Sequence, residues 1–258
     1  MASQTALPRH IAREHLAIAL DRDDLVSAQR LATTIEPWFG VAKVGLELFT
    51  SVGPEAVSSF VEQGFRVFLD LKLHDIPTTV ERAARSAGLL GVSYLTAHAA
   101  GGSAMLAAAV RGLADGAAER AAAAAGDDLV QTPLDPRVLA VTVLTSDSLA
   151  AASVFDARVA AAIESGCGGI VCSAHEVRAA KRRAPLLTAV VPGIRLDGGA
   201  GHDQMRVATP EFAINEGADV LVIGRPVSQS PDIAGTARAI ADDVAVALAA
   251  ASAAGGAT

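Results

Sequence analysis

A chain of 258 residues with 51% apolar side chains is long enough for one large α/β barrel or two smaller domains, with ample material for a core. Its formal charge of −7 argues against nucleic acid as the main partner, because a phosphate backbone calls for a basic face; a small anionic ligand held by a local basic cluster stays possible. No run approaches the ~18 apolar residues of a membrane span, and the opening ASQTALPRHIAREH lacks the apolar region of a signal peptide, so a cytoplasmic protein is expected.

In chain order, the first apolar run is HLAIALD (15–21), followed by helical spacing in DDLVSAQRLATTIEP. FGVAKVG (39–45) and FRVFLDL (65–71) come next, the latter continuing into LKLHDIPTTV. PTTVERAARSAGLLG reads as a helix, with Pro77 at its start and Thr78 and Thr79 placed to cap it. VSYLTAHA (92–99) is the fourth strand. Residues 111–136 are low in complexity and predict an alanine-rich helix plus a surface loop. RVLAVTVL (137–144), the helical DARVAAAIESGC, GGIVCS (168–173), LTAVVPG (187–193) and ADVLVIG (218–224) complete the series. The segment 233–254 predicts a helix, with a frayed tail over about 250–258. Eight short strands alternating with helices predict one domain over 1–258, a closed parallel (β/α)8 TIM barrel. An open doubly wound sheet is the alternative, but its GxGxxG turn is missing after the first strand. Scarce aromatics and abundant alanine predict narrow, closely packed helices. Cys167 and Cys172 have the spacing of neither a zinc knuckle nor a redox pair, and read as buried reduced thiols.

The polar residues collect at strand ends. Active sites of such barrels form at the C-terminal ends of the strands. There the chain places Asp21, Lys43, Asp70, Lys72 and, just beyond, Asp75. The fifth strand runs into Thr145 and Ser146. The seventh ends at Pro192, followed by Arg195 and Gln204, and the eighth at Gly224 and Arg225. The chain has three lysines against eighteen arginines. Lys181 reads as part of a solvated helix end. Lys43 and Lys72 lie inside apolar strands, where a charge must be paired, and lysine, unlike arginine, can give up a proton. Strand alternation puts Asp70 and Lys72 on one face. Lys43, Asp70, Lys72 and Asp75 therefore form a candidate reactive core of alternating charge. Gly224 and Arg225 read as a phosphate grip, and PGIRLDGGAGHDQ as a mobile flap over it. His98 is read as a hydrogen-bonded core residue rather than a site residue, His74 is left unplaced, His202 falls in the flap and Trp38 reads as packing.

FLDLKLHDIPTTV resembles the DxKxxDIPxT signature of the orotidine 5′-phosphate decarboxylases. IALD (18–21), KVG (43–45), LTS (144–146) and PGIR…DQ…RVATP…IGRPV (192–227) agree with that family in order. The resemblance runs from about residue 14 to 248, and the alanine-rich insert at 111–136 stands outside it. It implies a homodimeric barrel that makes UMP and CO2 with no metal and no organic cofactor. It makes Lys72 the proton donor to C6 of the pyrimidine and turns Asp70 toward the departing carboxylate. Lys43 and Asp75 complete the charge network, and Asp75, Ile76 and Thr79 belong to substrate binding, with Asp75 and Thr79 reaching into the partner's site. Asp21 and Lys43 would bind ribose hydroxyls, and Thr145 and Ser146 would lie near the base. Pro192, Arg195, Gln204, Gly224 and Arg225 would hold the phosphate end. Two rivals share the barrel. A magnesium-dependent sugar-phosphate decarboxylase or aldolase would be expected to carry an acidic metal ligand where this chain has Lys43. A barrel that only binds a phosphorylated ligand has no reason to keep a self-repelling carboxylate at its site.

Overall fold

Each of the eight apolar runs forms a strand in the computed structural model, which describes residues 9–124, 135–144, 152–195 and 208–255. They are β1 (Leu16–Ala19), β2 (Val41–Gly45), β3 (Arg66–Leu73), β4 (Tyr94–His98), β5 (Arg137–Val141), β6 (Gly169–Val171), β7 (Thr188–Val191) and β8 (Val220–Ile223). Every neighbouring pair is parallel. β8 returns to β1 in the register Leu16–Leu221 to Ile18–Ile223, which closes the sheet in sequence order.

Helix α1 (Arg9–Glu14) leads into β1. The crossovers that parallel strands require carry α2 (Leu25–Ile35), α3 (Leu46–Val52), α4 (Glu55–Glu62), α5 (Pro77–Leu90), α6 (Gly102–Ala123), α7 (Ala152–Glu164), α8 (Ala174–Arg183) and α9 (Pro210–Asn215). After β8 come the short α10 (Arg225–Ser228) and the long α11 (Ile233–Gly255). None of the described helices is long and apolar enough to cross a membrane.

Side-chain alternation divides the buried residues into two cores. Leu16 and Ile18 of β1 face the helices, whereas Ala17 and Ala19 face the barrel axis with Val41, Phe68, Tyr94, Leu139, Val190, Val220 and Val222. Small alanines on β1 leave room for Phe68 and Tyr94, whose rings meet edge to face at 6.1 Å. This apolar plug fills the barrel below the charged strand ends. Cys167 and Cys172 are buried and free, and burial pushes the Cys167 thiol up to about 11 and raises that of Cys172 as well. Trp38 packs against the outer core.

Lys181 departs from its expected place on a solvated helix end. Its ammonium reaches the N-terminal face of the barrel, 2.6 Å from Asp219 Oδ2 and 2.8 Å from the Leu187 carbonyl. The same Asp219 oxygen accepts the Ala189 N–H at 2.7 Å, so Lys181 ties α8 to the β7–β8 edge.

The alanine-rich segment is helical as far as Ala123, one continuous helix from Gly102; residues 125–134, where the surface loop was expected, lie outside the described residues. Glycines let α6 approach α5 until backbones touch. A Cβ at Gly112 would run into the Glu81 carbonyl oxygen, and one at Gly116 into that of Arg85. Ion pairs Arg111–Glu81 and Arg85–Glu119 bracket this seam. In a free helix Gly→Ala stabilises by about 1 kcal/mol. Here Gly116→Ala must push the helices apart, and urea denaturation should show a loss of roughly 1–3 kcal/mol. A gain in stability would mean that the backbones do not touch at this point.

Candidate active site

β1, β2 and β3 deliver four charged groups to one end of the barrel. Lys43 pairs in register with Ala19 on one side and Phe68 on the other, both interior positions, so its side chain also points inward. Its Nζ lies 3.2 Å from Asp21 Oδ1 and 3.7 Å from Asp70 Oδ2. Lys72 Nζ approaches the same Asp70 oxygen at 2.8 Å. The order Asp21–Lys43–Asp70–Lys72 thus alternates in sign. The Lys43 and Asp70 side chains are each only 13% exposed, a depth at which an unpaired charge would be strongly destabilising. Gly45, beside them, lacks a Cβ that would stand 3.2 Å from Lys43 Nζ.

Asp70 and Lys72 meet, but not through regular strand alternation. β3 pairs with β4 at Leu69–Leu95 and again at Leu73–Ala97. Three residues of β3, Asp70, Leu71 and Lys72, therefore span the space opposite Thr96 alone. Such a bulge re-aims side chains. Lys72 has φ 51°, and among the described residues no other non-glycine has positive φ. A bulky residue in this region carries local strain that the surroundings must hold in place. Thr96 supplies part of the hold: its Oγ1 accepts the Lys72 N–H at 2.9 Å and donates to Asp70 Oδ1 at 3.0 Å. Thr96 is not among the strand-end residues that the sequence singles out. Its signal was a hydroxyl at an inward position of the otherwise apolar YLTA, where a buried polar group needs partners.

The cluster borders a cavity of about 550 Å³, within the usual range for small-molecule sites. Phe68, Val141, Val171 and Val222 form its apolar floor. Asp21, Lys43, Asp70 and Lys72 line it together with Pro192, Arg195, Gly224 and Arg225. Arg195 is held below the usual arginine range by burial and by the charge of Arg225 beside it, a repulsion that a bound anion would relieve. Arg22, Ser228 and Gln229 also line the wall, and Arg22 donates to the Ser228 carbonyl at 3.2 Å. The proposed flap is pinned at its base, where Arg195 N–H donates to the Ala208 carbonyl at 3.0 Å. The flap itself, including Gln204 and His202, lies outside the described residues, as do Thr145 and Ser146.

Asp75 does not join the row formed by Asp21, Lys43, Asp70 and Lys72 of its own chain. Its carboxylate accepts the Ile76 N–H at 2.6 Å and is exposed. Ile76 and Thr79 are exposed too, and none of the three lines the cavity. Helix α5 starts with Pro77 as expected, but its N-cap is Ile76 with no side-chain cap, so Thr78 and Thr79 are not there to cap it. Past the Lys72 bulge, His74 stacks on His98 with ring centroids 5.5 Å apart. His98 is half-buried at the end of β4 and is not among the residues lining the cavity.

Comparison with known proteins points one way. Residues 14–240 match the model of the orotidine 5′-phosphate decarboxylase / HUMPS family. An orotidine 5′-phosphate decarboxylase of Anaeromyxobacter sp. (strain K) is 48% identical over 241 residues, covering 88% of this chain and 97% of that protein. One from Moorella thermoacetica is 43% identical, covering 90% and 93%. The crystal structure of orotidine 5′-phosphate decarboxylase from Lactobacillus acidophilus superposes with a TM-score of 0.73 at 30% identity, covering 90% of this chain and 99% of that one.

The histidine pair gives a pH dependence. Burial, then the charges of His74 and Lys72, hold His98 below the ordinary histidine value of 6.5. The unfolded chain therefore binds the proton at higher pH than the folded one, and stability should fall as pH drops below about 6.5. His98→Gln should flatten that slope in denaturant titrations taken across the range. An unchanged slope would assign the effect to other groups.

Proposed function

The chain belongs to the orotidine 5′-phosphate decarboxylase / HUMPS family, and we propose that it converts orotidine 5′-phosphate into UMP and CO2 as the last step of de novo pyrimidine nucleotide synthesis. The observation that carries this reading is the alternating Asp21–Lys43–Asp70–Lys72 row, which lines one cavity with Arg195 and Arg225. In the magnesium-dependent branch an acidic ligand is expected at the position of Lys43. Here an ammonium stands between Asp21 and Asp70, and its charge opposes a divalent cation at that point.

The chemistry follows from the charges. When the C6–carboxylate bond breaks, its electron pair stays on a ring carbon with little delocalisation. Enzymes lower barriers by about 8–23 kcal/mol, and this step needs the upper part of that range. Lys72 supplies a fixed ammonium where negative charge develops, then transfers a proton from Nζ to C6. Asp70 faces the leaving carboxylate and aims Lys72, while Lys43 fixes Asp70. Asp21 and Lys43 hold the ribose hydroxyls. Arg195, Gln204, Gly224 and Arg225 bind the phosphate, whose binding energy favours the strained arrangement at the reacting carbon. Pro192 closes the wall, and Thr145 and Ser146 attend the base. No metal or organic cofactor takes part.

We place Asp75, Ile76 and Thr79 in the site of a second subunit, in a cytoplasmic homodimer of one-domain chains. Their exposure and their absence from this chain's cavity support that assignment.

Two outcomes test the proposal. Purified protein in excess EDTA should consume orotidine 5′-phosphate, followed by ultraviolet absorbance, while Lys72→Ala should stay folded and be inactive. Failure of the wild type to react would remove the decarboxylase assignment, and an active Lys72→Ala would remove the proton donor. For the shared site, Lys72→Ala and Asp75→Asn are each expected to be inactive alone. Mixed under conditions of subunit exchange, they should regain activity, because one site in each hybrid dimer is then whole. No recovery after demonstrated exchange would return Asp75 to its own chain.

A further inference from the structure

We propose that Thr96 is a positioning residue for the proton transfer, its one hydroxyl fixing both the backbone of Lys72 and the carboxylate of Asp70. The inference rests on the decarboxylase reading above and assigns a residue that the signature motif does not contain.

The bulge sets the problem that Thr96 solves. Between the Leu69–Leu95 and Leu73–Ala97 pairs, β3 has three residues where β4 has one, so the regular ladder has no carbonyl in step with every N–H. The Lys72 N–H is taken up by a side chain, Thr96 Oγ1, at 2.9 Å. A hydroxyl has one hydrogen and two acceptor lone pairs. With a lone pair given to Lys72, the hydrogen goes to Asp70 Oδ1 at 3.0 Å. That bond leaves Asp70 Oδ2 to the ammoniums, Lys72 at 2.8 Å and Lys43 at 3.7 Å. Each carboxylate oxygen thus has its own donor, and the plane of the carboxylate is set. Thr96 is fully buried, so no water substitutes for either bond. Its Oγ1 is therefore linked at once to the left-handed backbone of the proposed proton donor and to that donor's carboxylate partner.

The substitutions Thr96→Val, Thr96→Ala and Thr96→Ser separate the hydroxyl from the packing. Valine keeps the shape and loses the hydroxyl. Serine and alanine both lose the methyl and differ only in the hydroxyl. Valine and alanine should lower kcat about ten- to hundred-fold, the scale of a small misplacement of a reacting group. KM for orotidine 5′-phosphate and UMP affinity by calorimetry should change little, because the phosphate end is untouched. Serine should retain most of the wild-type kcat. Wild-type kcat in the valine or alanine variant would overturn the proposal, as would a serine variant that falls as far as alanine. Hydroxyl-free variants that do not fold, beside an active serine variant, would assign the hydroxyl to folding and overturn it too. Crystal structures of the wild type and Thr96→Val give a readout independent of turnover. In the variant, Lys72 should leave its positive-φ conformation or lose its contact with Asp70; an unmoved pair would overturn the role even if the wild type lacked decarboxylase activity.

Discussion

The carboxylate of Asp70 is the hub on which the site depends. It lies between the ammoniums of Lys43 and Lys72 and is bonded from the side by Thr96. Neither Asp70 nor Lys43 is stable alone at its depth. Unpaired, Lys43 or Asp70 would neutralise or draw in water, since each side chain is almost enclosed. Together they form a row in which each charge has an opposite neighbour. The barrel makes this possible because adjacent parallel strands bring successive strand ends within reach, and closure gives all of them one rim. The apolar plug of Phe68, Tyr94, Val41 and Leu139 beneath the row is equally necessary. It keeps water out from below and gives the charged side chains a rigid base.

Most of the architecture was legible in the sequence because it rests on local periodicities. Eight β-branched runs separated by helical spacing admit few solutions, and all eight strands appear in order and pair as expected. Their ends were less legible. HLAIALD shrinks to Leu16–Ala19, since chain direction after Ala19 is set by the turn into α2 rather than by hydrophobicity. The strand carrying the motif lengthens instead, to Leu73, because the bulge keeps it in the sheet. Lys181 was misread for a related reason. Its neighbours Arg182 and Arg183 suggest a solvated end, but Asp219, which captures it, lies far along the chain and is brought near by the pairing of β8 with β7.

The site was legible as a set of residue types and less so as a geometry. Spacing placed Asp70 and Lys72 side by side, and they are, yet the cause is a left-handed lysine rather than a regular pleat. A pattern of period two cannot show a residue that breaks it. Thr96 was invisible for the opposite reason. Threonine is common in strands, and its value here comes from facing three residues of the neighbouring strand instead of one. Asp75 looked like a member of the row because it is only three residues from Lys72. β3 ends at Leu73, and the bend at Asp75 leaves its carboxylate outside the chain's own cavity, where it accepts the next backbone N–H.

The weight of Asp70's two proposed roles follows from its bonding. A carboxylate repels a substrate carboxylate most when its lone pairs are bare. Asp70 has Oδ1 engaged by Thr96 and Oδ2 by Lys72, with Lys43 near the same oxygen. Its negative charge is largely answered by donors already in place, and those donors are held to defined atoms. On the proposed mechanism this favours Asp70 as the group that aims the Lys72 ammonium over Asp70 as a source of repulsion. The bulge fits the same view. Strain stored in the backbone of Lys72 aims a side chain, and does nothing to increase charge at Asp70. The molecule's departures from regular structure here, a left-handed lysine and a buried hydroxyl, both act on the direction of one ammonium.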